Sequence, residues 1–359
     1  MDYYLAHLFP SLPGADILRV NNSDPAAVEA LPVRNDDGSV VVMLVNCQVR
    51  SSADNNGPGV PRTVMLDVSA LGSFASATQV SIDATTDATR GPVHIELAAA
   101  PQMQLTLNGY GVTFLRFNGA KPQFAPTGVV NAASYQGSGV SPGEIVAIFG
   151  TALGPATLAG AQISSPHFLD NTLAGARVYF DGISAPLVYS SARQMSAIVP
   201  YEVAGKASTQ LQVEYLGALS DPVTVPVAVA VPGLFTKDFS GTGQGSILNQ
   251  DESPNTAANP AARGSFVSLY ATGEGETNPG GIAGMVGGEK LPKPRLPVTA
   301  TIGGVSAEVT YAGGASGLVA GAMQIYVRVP ASIPPGRATP VQISVGNASS
   351  QAGVTLAVQ

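Results

Sequence analysis

Asp251 and Glu252, then Glu274 and Glu276, are the carboxylates whose spacing could do chemistry in this sequence. Two carboxyl groups that converge on one bond can hydrolyse a glycoside. Carboxylates alternating with loop carbonyls can hold calcium. No Asp-x-Asp-x-Asp-Gly ladder is present, so the default reading is acids that solvate polar loops. His7, His94 and His167 are far apart and share no metal-ligand spacing, which argues for surface or capping histidines rather than zinc. Cys47 follows an apolar run and reads as a buried, inert thiol. As the single cysteine it excludes an internal disulfide. No Gly-x-Ser-x-Gly elbow occurs. Gly241-Thr-Gly-Gln-Gly245 precedes a strand and lacks the Lys-Ser/Thr of a phosphate loop, so it reads as a turn. No catalytic, cofactor-binding or metal-binding residue is assigned, and no cofactor is expected.

Composition narrows the classes further. The chain has 359 residues, enough for two or three domains. Charged residues are 11% of it and the net charge is −7, which argues against a nucleic-acid partner. The 41 glycines and 28 prolines make about a fifth of the chain, while a 45% apolar share argues against disorder. No apolar run approaches the ~20 residues of a membrane span. The first ten residues lack a basic segment and an apolar core, so they do not read as a signal peptide. Residues 2–9 read as the last turns of an amphipathic helix ended by Pro10 and Pro13-Gly14. The reading frame is therefore expected to have lost an upstream part.

Candidate residues need elements to position them. Residues 15–117 alternate β-rich runs with turn clusters: 17–20, 28–34, 40–46, 63–67, 78–83, 93–97, 103–107 and 112–117. Asn35-Asp-Asp-Gly38 and Asn108-Gly109 supply hairpin turns. Val93-His-Ile-Glu-Leu97 and Met103-Gln-Leu-Thr-Leu107 alternate as half-buried strands do. Val40-Val-Val-Met-Leu-Val45 is apolar throughout and suits a central strand. Eight strands without a helix predict a β-sandwich.

The remaining two-thirds contains an internal repeat, the first thing to seek in a long chain. Gly143-Glu-Ile-Val-Ala-Ile-Phe-Gly-Thr-Ala-Leu-Gly154 matches Gly264-Ser-Phe-Val-Ser-Leu-Tyr-Ala-Thr-Gly-Glu-Gly275 at an offset of 121. Residues 181–189 match 303–311 at 122, and Gln194-Met-Ser-Ala-Ile-Val-Pro200 matches Gln324-Ile-Tyr-Val-Arg-Val-Pro330 at 130. The step implies an eight-residue insertion near 313–321. Gln212 and Ser220 keep the later offset, to Gln342 and Ser350. The expected fold class is all-β, with three β-sandwiches of which the last two form a tandem immunoglobulin-like repeat. The expected layout is a sandwich at 1–118, a linker at 119–125, repeat one at 126–232, a joint at 233–243 and repeat two at 244–359.

Three resemblances accompany these patterns. Residues 1–118 resemble the C-terminal β-sandwich of a TIM-barrel (clan A-like) glycoside hydrolase. The runs that carry this are Tyr3-Tyr-Leu-Ala-His-Leu-Phe9, Ile17-Leu-Arg-Val20, Asn35-Asp-Asp-Gly-Ser-Val-Val-Val-Met-Leu-Val-Asn46 and Leu107-Asn-Gly-Tyr-Gly-Val-Thr-Phe-Leu115. The resemblance implies an upstream barrel that carries that family's two catalytic carboxylates, none of which maps onto this chain. Ser141-Pro-Gly-Glu-Ile-Val-Ala-Ile-Phe-Gly-Thr-Ala-Leu-Gly-Pro155 resembles the opening of the immunoglobulin-like (IPT/TIG-like) domains shared with plexins and transcription factors. Residues 126–359 are similar to an uncharacterised C-terminal domain family of secreted acidobacterial proteins. The phrases that carry this third likeness are Asn131-Ala-Ala-Ser-Tyr135, Ile148-Phe-Gly-Thr-Ala-Leu-Gly-Pro155, Ala258-Asn-Pro-Ala-Ala-Arg-Gly264 and Tyr270-Ala-Thr-Gly-Glu-Gly275. It implies location and architecture, not chemistry.

The function expected is a non-catalytic accessory or structural role, outside the cell or at its surface, in a carbohydrate-active protein. The alternative is the tail of a glycoside hydrolase whose barrel is missing from this chain; a barrel needs roughly 200 residues that are not here. Expected partners are cell-surface or polysaccharide components and an upstream catalytic barrel, with no nucleic acid and no membrane span. Two long loops, 155–173 and 276–297, follow the first strand of each repeat and read as covers for sheet edges, with a functional role as the alternative that loops of this length offer. The first holds Pro166-His-Phe-Leu169, the second a basic spot of Lys290, Lys293 and Arg295. Trp is absent, and Phe149, Tyr179, Phe180 and Tyr270 fall in strand patterns, so weak or no binding to crystalline polysaccharide is expected, with the loops left open to soluble oligosaccharides. The joint 225–235 is apolar and bounded by prolines, unlike a flexible linker. Leu234 and Phe235 are expected to be buried at a contact between the repeats.

Overall fold

The computed structural model describes residues 16–35, 38–48, 59–71, 74–137, 139–163, 167–287 and 291–359. The helix expected at 2–9, together with His7, Pro166 and Lys290, lies outside them. The fold is all-β, in several separate sheets. The chain forms two compact units: Met1–Pro122 with Glu214–Leu219, and Gln123–Val213 with Ser220–Gln359.

In the first unit the strands are β1 (Asp16–Ile17), β2 (Val28–Arg34), β3 (Val40–Asn46), β4 (Arg62–Asp67), β5 (Ser76–Ile82), β6 (His94–Ala98), β7 (Gln102–Leu107) and β8 (Val112–Asn118). Six of them form one sheet in the order β1-β2-β3-β8-β5-β6, and β4 pairs with β7. The unbroken apolar run of β3 has a physical reason. Val40, Val42 and Leu44 join a core with Leu115 and Phe117, while Val41 packs with Ile82, Val112 and Phe114. Successive strand residues face opposite ways, so both faces of β3 are covered. The turn between β2 and β3 closes with Gly38 at a positive φ of 77° and its amide bonded to the Asn35 carbonyl.

The second unit contains the repeat. Strand Ile145–Thr151 corresponds to Phe266–Thr272, Ala176–Phe180 to Val298–Ile302, Ile183–Ala185 to Val305–Ala307, and Gln194–Ile198 to Met323–Arg328. Each half divides these strands between two sheets in the same way. The hairpin turns correspond too. Asp181 and Gly182 take φ of 51° and 80°, and Gly303 and Gly304 take 60° and 76°, the pair of positive values a two-residue hairpin needs. A buried serine recurs. The Val213 amide donates to Ser220 Oγ at 3.0 Å, and the Ile343 amide to Ser350 Oγ at 3.1 Å.

The halves meet in a seam that glycine makes possible. The Val231 amide donates to the Gly273 carbonyl at 2.9 Å. A Cβ on Gly273 would collide with the Val231 carbonyl oxygen, one on Gly275 with that of Val229, and one on Gly321 with that of Gly143. Across the same seam Asn131 Nδ2 donates to the Val231 carbonyl at 2.8 Å, and the Ile145 amide to Thr272 Oγ1 at 2.9 Å. Leu234 is buried, but inside the core of the second repeat rather than between the halves. Strand Gly233–Leu234 pairs with Ala271 and Thr272, which draws it into that sandwich. Phe235 is half-buried, its amide bonded to the Tyr270 carbonyl.

Candidate functional site

The acids read from the sequence do not converge. Asp251 is exposed and accepts from the Ser253 hydroxyl and amide, which hold its carboxyl below the usual range. Glu252 is exposed in a left-handed turn at φ 66°. Glu276 is exposed and pairs with Arg295 at 3.1 Å. Glu274 is buried, and its Oε2 has no hydrogen-bond partner among the described residues. Burial pushes its carboxyl up to about 8, so at neutral pH it stays largely protonated.

The sequence reading missed a second buried acid. Glu144 accepts at Oε2 from the Ser141 amide at 2.7 Å and the Ser141 hydroxyl at 3.1 Å. Burial pushes it up to about 8 against the pull of those bonds. Its signal was the Ser-x-x-Glu spacing of residues 141–144, which recurs in local caps. Tyr201 sits close by: a Cβ on Gly143 or on Gly281 would strike the Tyr201 ring. Burial, then the nearby Glu274, raises the Tyr201 phenol well above its ordinary value. Both buried acids lie along the seam, next to Gly143 and Gly273. Among the described residues no group of three or more His, Cys, Asp or Glu side chains could hold a metal.

The other candidates are placed as follows. His94 and His167 are exposed, the latter at φ 72°. Cys47 is half-buried rather than buried, because it lies just past the end of β3 where core cover ends. Gly241 and Gly243 have positive φ and form the expected turn.

The long loops do more than cover edges. The Leu169 amide donates to the Gly284 carbonyl at 2.9 Å, and the Val286 amide to the His167 carbonyl at 2.7 Å. The Ala320 amide donates to the Met285 carbonyl at 2.7 Å. The loops of both repeats and the insertion thus join by main-chain bonds. Against them lies a cavity of about 220 Å³, lined by Ile282, Met285, Leu291, Leu318 and Val319 among others. Of the basic spot, Arg295 is the partner of Glu276, and Lys293 lies 5.5 Å from the centre of the Tyr311 ring.

Outward sheet faces carry a recurring set of side chains. Phe149 and Gln194 are cross-strand partners in the first repeat, as Tyr270 and Gln324 are in the second. Gln194 Nε2 donates to the Tyr189 hydroxyl at 2.7 Å, and Gln324 Nε2 to the Tyr270 hydroxyl at 3.4 Å. Tyr189 corresponds to Tyr311. Of the four aromatics read as strand residues, only Phe180 is core; Phe149 is 39% exposed, and Tyr179 and Tyr270 are half-buried. Being on a strand does not decide the face.

No known family and no curated protein matches the chain. Among solved structures it is similar to a GH30 endoxylanase from Clostridium papyrosolvens C71, at 14% identity and a TM-score of 0.25, over 32% of this chain and 27% of that one. It is also similar to a β-porphyranase of glycoside hydrolase family 86 from Bacteroides plebeius, at 12% identity and a TM-score of 0.24, over 63% and 39%. A third is the SGBP-B protein of the Bacteroides ovatus mixed-linkage glucan utilization locus, in complex with a mixed-linkage heptasaccharide, at 10% identity and a TM-score of 0.28, over 88% and 70%. The chain thus spans well under half the length of the two hydrolases. No described helix is long and apolar enough to cross a membrane.

Proposed function

We propose that this chain is a non-catalytic accessory module of a secreted carbohydrate-active protein, in which the paired repeats act as a rigid spacer outside the cell or at its surface. The observation that carries this is the seam. Gly273, Gly275 and Gly321 bring main chain of the two halves so close that no side chain fits. A seam of that kind resists bending, as a spacer must. The acids that could have formed a catalytic pair stand apart instead: Glu274 is buried at the seam, Asp251 is bonded within a turn and Glu276 is in an ion pair. The test uses the full chain. Limited proteolysis should spare residues 227–240, and aryl glycosides should not be turned over. Early cutting at 227–240 would remove the rigid spacer. Turnover that disappears in Glu274→Gln or Glu276→Gln would remove the non-catalytic reading.

A further inference from the structure

We propose that the outward face of the second repeat, formed by Tyr270, Tyr311, Gln324 and Tyr326, binds an uncharged soluble glycan chain. The inference rests on the accessory reading above and names a ligand class for it. Tyr311 and Tyr326 lie with ring centres 5.5 Å apart, and Tyr326 is 39% exposed. Tyrosine offers a flat apolar ring with a polar tip, which suits a pyranose that has an apolar face and a rim of hydroxyls. Internal hydrogen bonds hold two of the rings in place. Gln324 Nε2 reaches the Tyr270 hydroxyl, and the Tyr311 hydroxyl donates to the Gly314 carbonyl at 2.6 Å. Tyr326 is the most exposed ring of the group.

Charge selects among sugars. Arg328 is closed by Glu308 at 2.8 Å, and Arg295 by Glu276. What remains beside the tyrosines, among the described residues, is Lys293 over Tyr311, Glu252 near Tyr270, and the buried Glu274 near Tyr311, whose carboxyl is raised to about 8 and largely uncharged at neutral pH. A balanced face complements a neutral chain better than a uronate or a sulfate ester. A tyrosine phenol is protonated at neutral pH, and burial first, neighbouring groups second, raise those of Tyr270 and Tyr311 further, so neither adds a charge to this face.

The absence of Trp gives a clean readout, because a near-ultraviolet difference spectrum then reports tyrosine rings with no indole over them. The full chain would be titrated with cellohexaose, xylohexaose and maltohexaose, and with hexagalacturonate as the charged arm. At least one neutral hexasaccharide should perturb the tyrosine spectrum. Tyr326→Ser should weaken that binding about tenfold, the loss of one good ring contact, and Gln324→Ala should weaken it less. The proposal is overturned if no neutral probe binds, if hexagalacturonate binds more tightly, or if Tyr326→Ser binds as well as the parent. A chain that resists proteolysis at 227–240 and turns over no glycoside, yet binds no sugar, would lose this inference and keep the accessory reading.

Discussion

The two repeats share a skeleton and differ at its surface. Inward positions are kept in kind: Ile148 and Leu269 are both fully buried, as are their cross-strand partners Met195 and Ile325. Other positions of the same strands diverge. Ser196 of the first repeat corresponds to Tyr326, and Ile198 to Arg328. Ser196 and Ile198 are buried, whereas Tyr326 and Arg328 are exposed. One inward position also departs: Leu153, fully buried, stands where the second repeat has Glu274. Packing holds the shared positions, because a close-packed core penalises any change of volume. Where the repeats differ, something other than the sandwich core sets the residue.

The largest effect should come from the seam. Gly273→Ala puts a Cβ into the Val231 carbonyl at φ 87°, and neither main chain can yield without breaking the joint. Gly304→Ala has a similar φ of 76° but open space around it. The first should cost more than about 3 kcal/mol, and the second about 1 kcal/mol from backbone strain alone. Thermal unfolding of both variants checks the contrast. Equal losses would mean that close approach of the halves contributes nothing.

Glu274 offers the next comparison, because the first repeat supplies its own replacement. In Glu274→Leu an apolar side chain takes the place of a buried acid with an unpartnered oxygen. The folded carboxyl is raised to about 8, from 4.5 when exposed. The folded state therefore binds the proton more tightly, and its contribution to stability is complete below about 4.5 and lost as the pH rises through 8. The variant should come close to the parent near pH 5 and exceed it at pH 9 by on the order of 1–4 kcal/mol. Denaturant unfolding at the two pH values measures this. A stability difference that does not change with pH would show that Glu274 is hydrated.

The matched serines should give smaller and equal effects. Ser220→Ala and Ser350→Ala each leave one buried amide without its acceptor, at about 1–2 kcal/mol. A difference above about 1 kcal/mol between them, read by denaturant unfolding, would show that the correspondence is only one of sequence.

Much of this architecture was legible in the sequence. Strands β2 and β3 coincide with the expected runs, because alternation and Asp-Gly turns are local signals. The repeat was legible because order and offset survive divergence. The seam was not. Gly273 and Gly275 stand out in the sequence only as part of the repeated run, and only the fold shows the carbonyls they approach. The fate of the acids was equally hidden: Glu274 and Glu276 are two residues apart, yet one is buried and the other exposed. The outward turn of Tyr270 follows from strand phase, which periodicity fixes only once the core face is known.

The smallest effect is the one that separates stability from recognition. Tyr326→Ser installs the residue that the first repeat has at the same place. Ser196 is buried there, whereas Tyr326 projects outward and meets the Tyr311 ring at a tilt of 42°. Cross-strand aromatic pairs contribute roughly 0.2–1 kcal/mol, so the substitution should lower stability by about 0.5 kcal/mol. Unfolding in urea measures it. A loss above about 2 kcal/mol would exceed any cross-strand pair and mean that Tyr326 holds the sheet together, its exposure then being incidental. A small loss leaves an exposed tyrosine that the fold does not need, on a face where its counterpart is a serine.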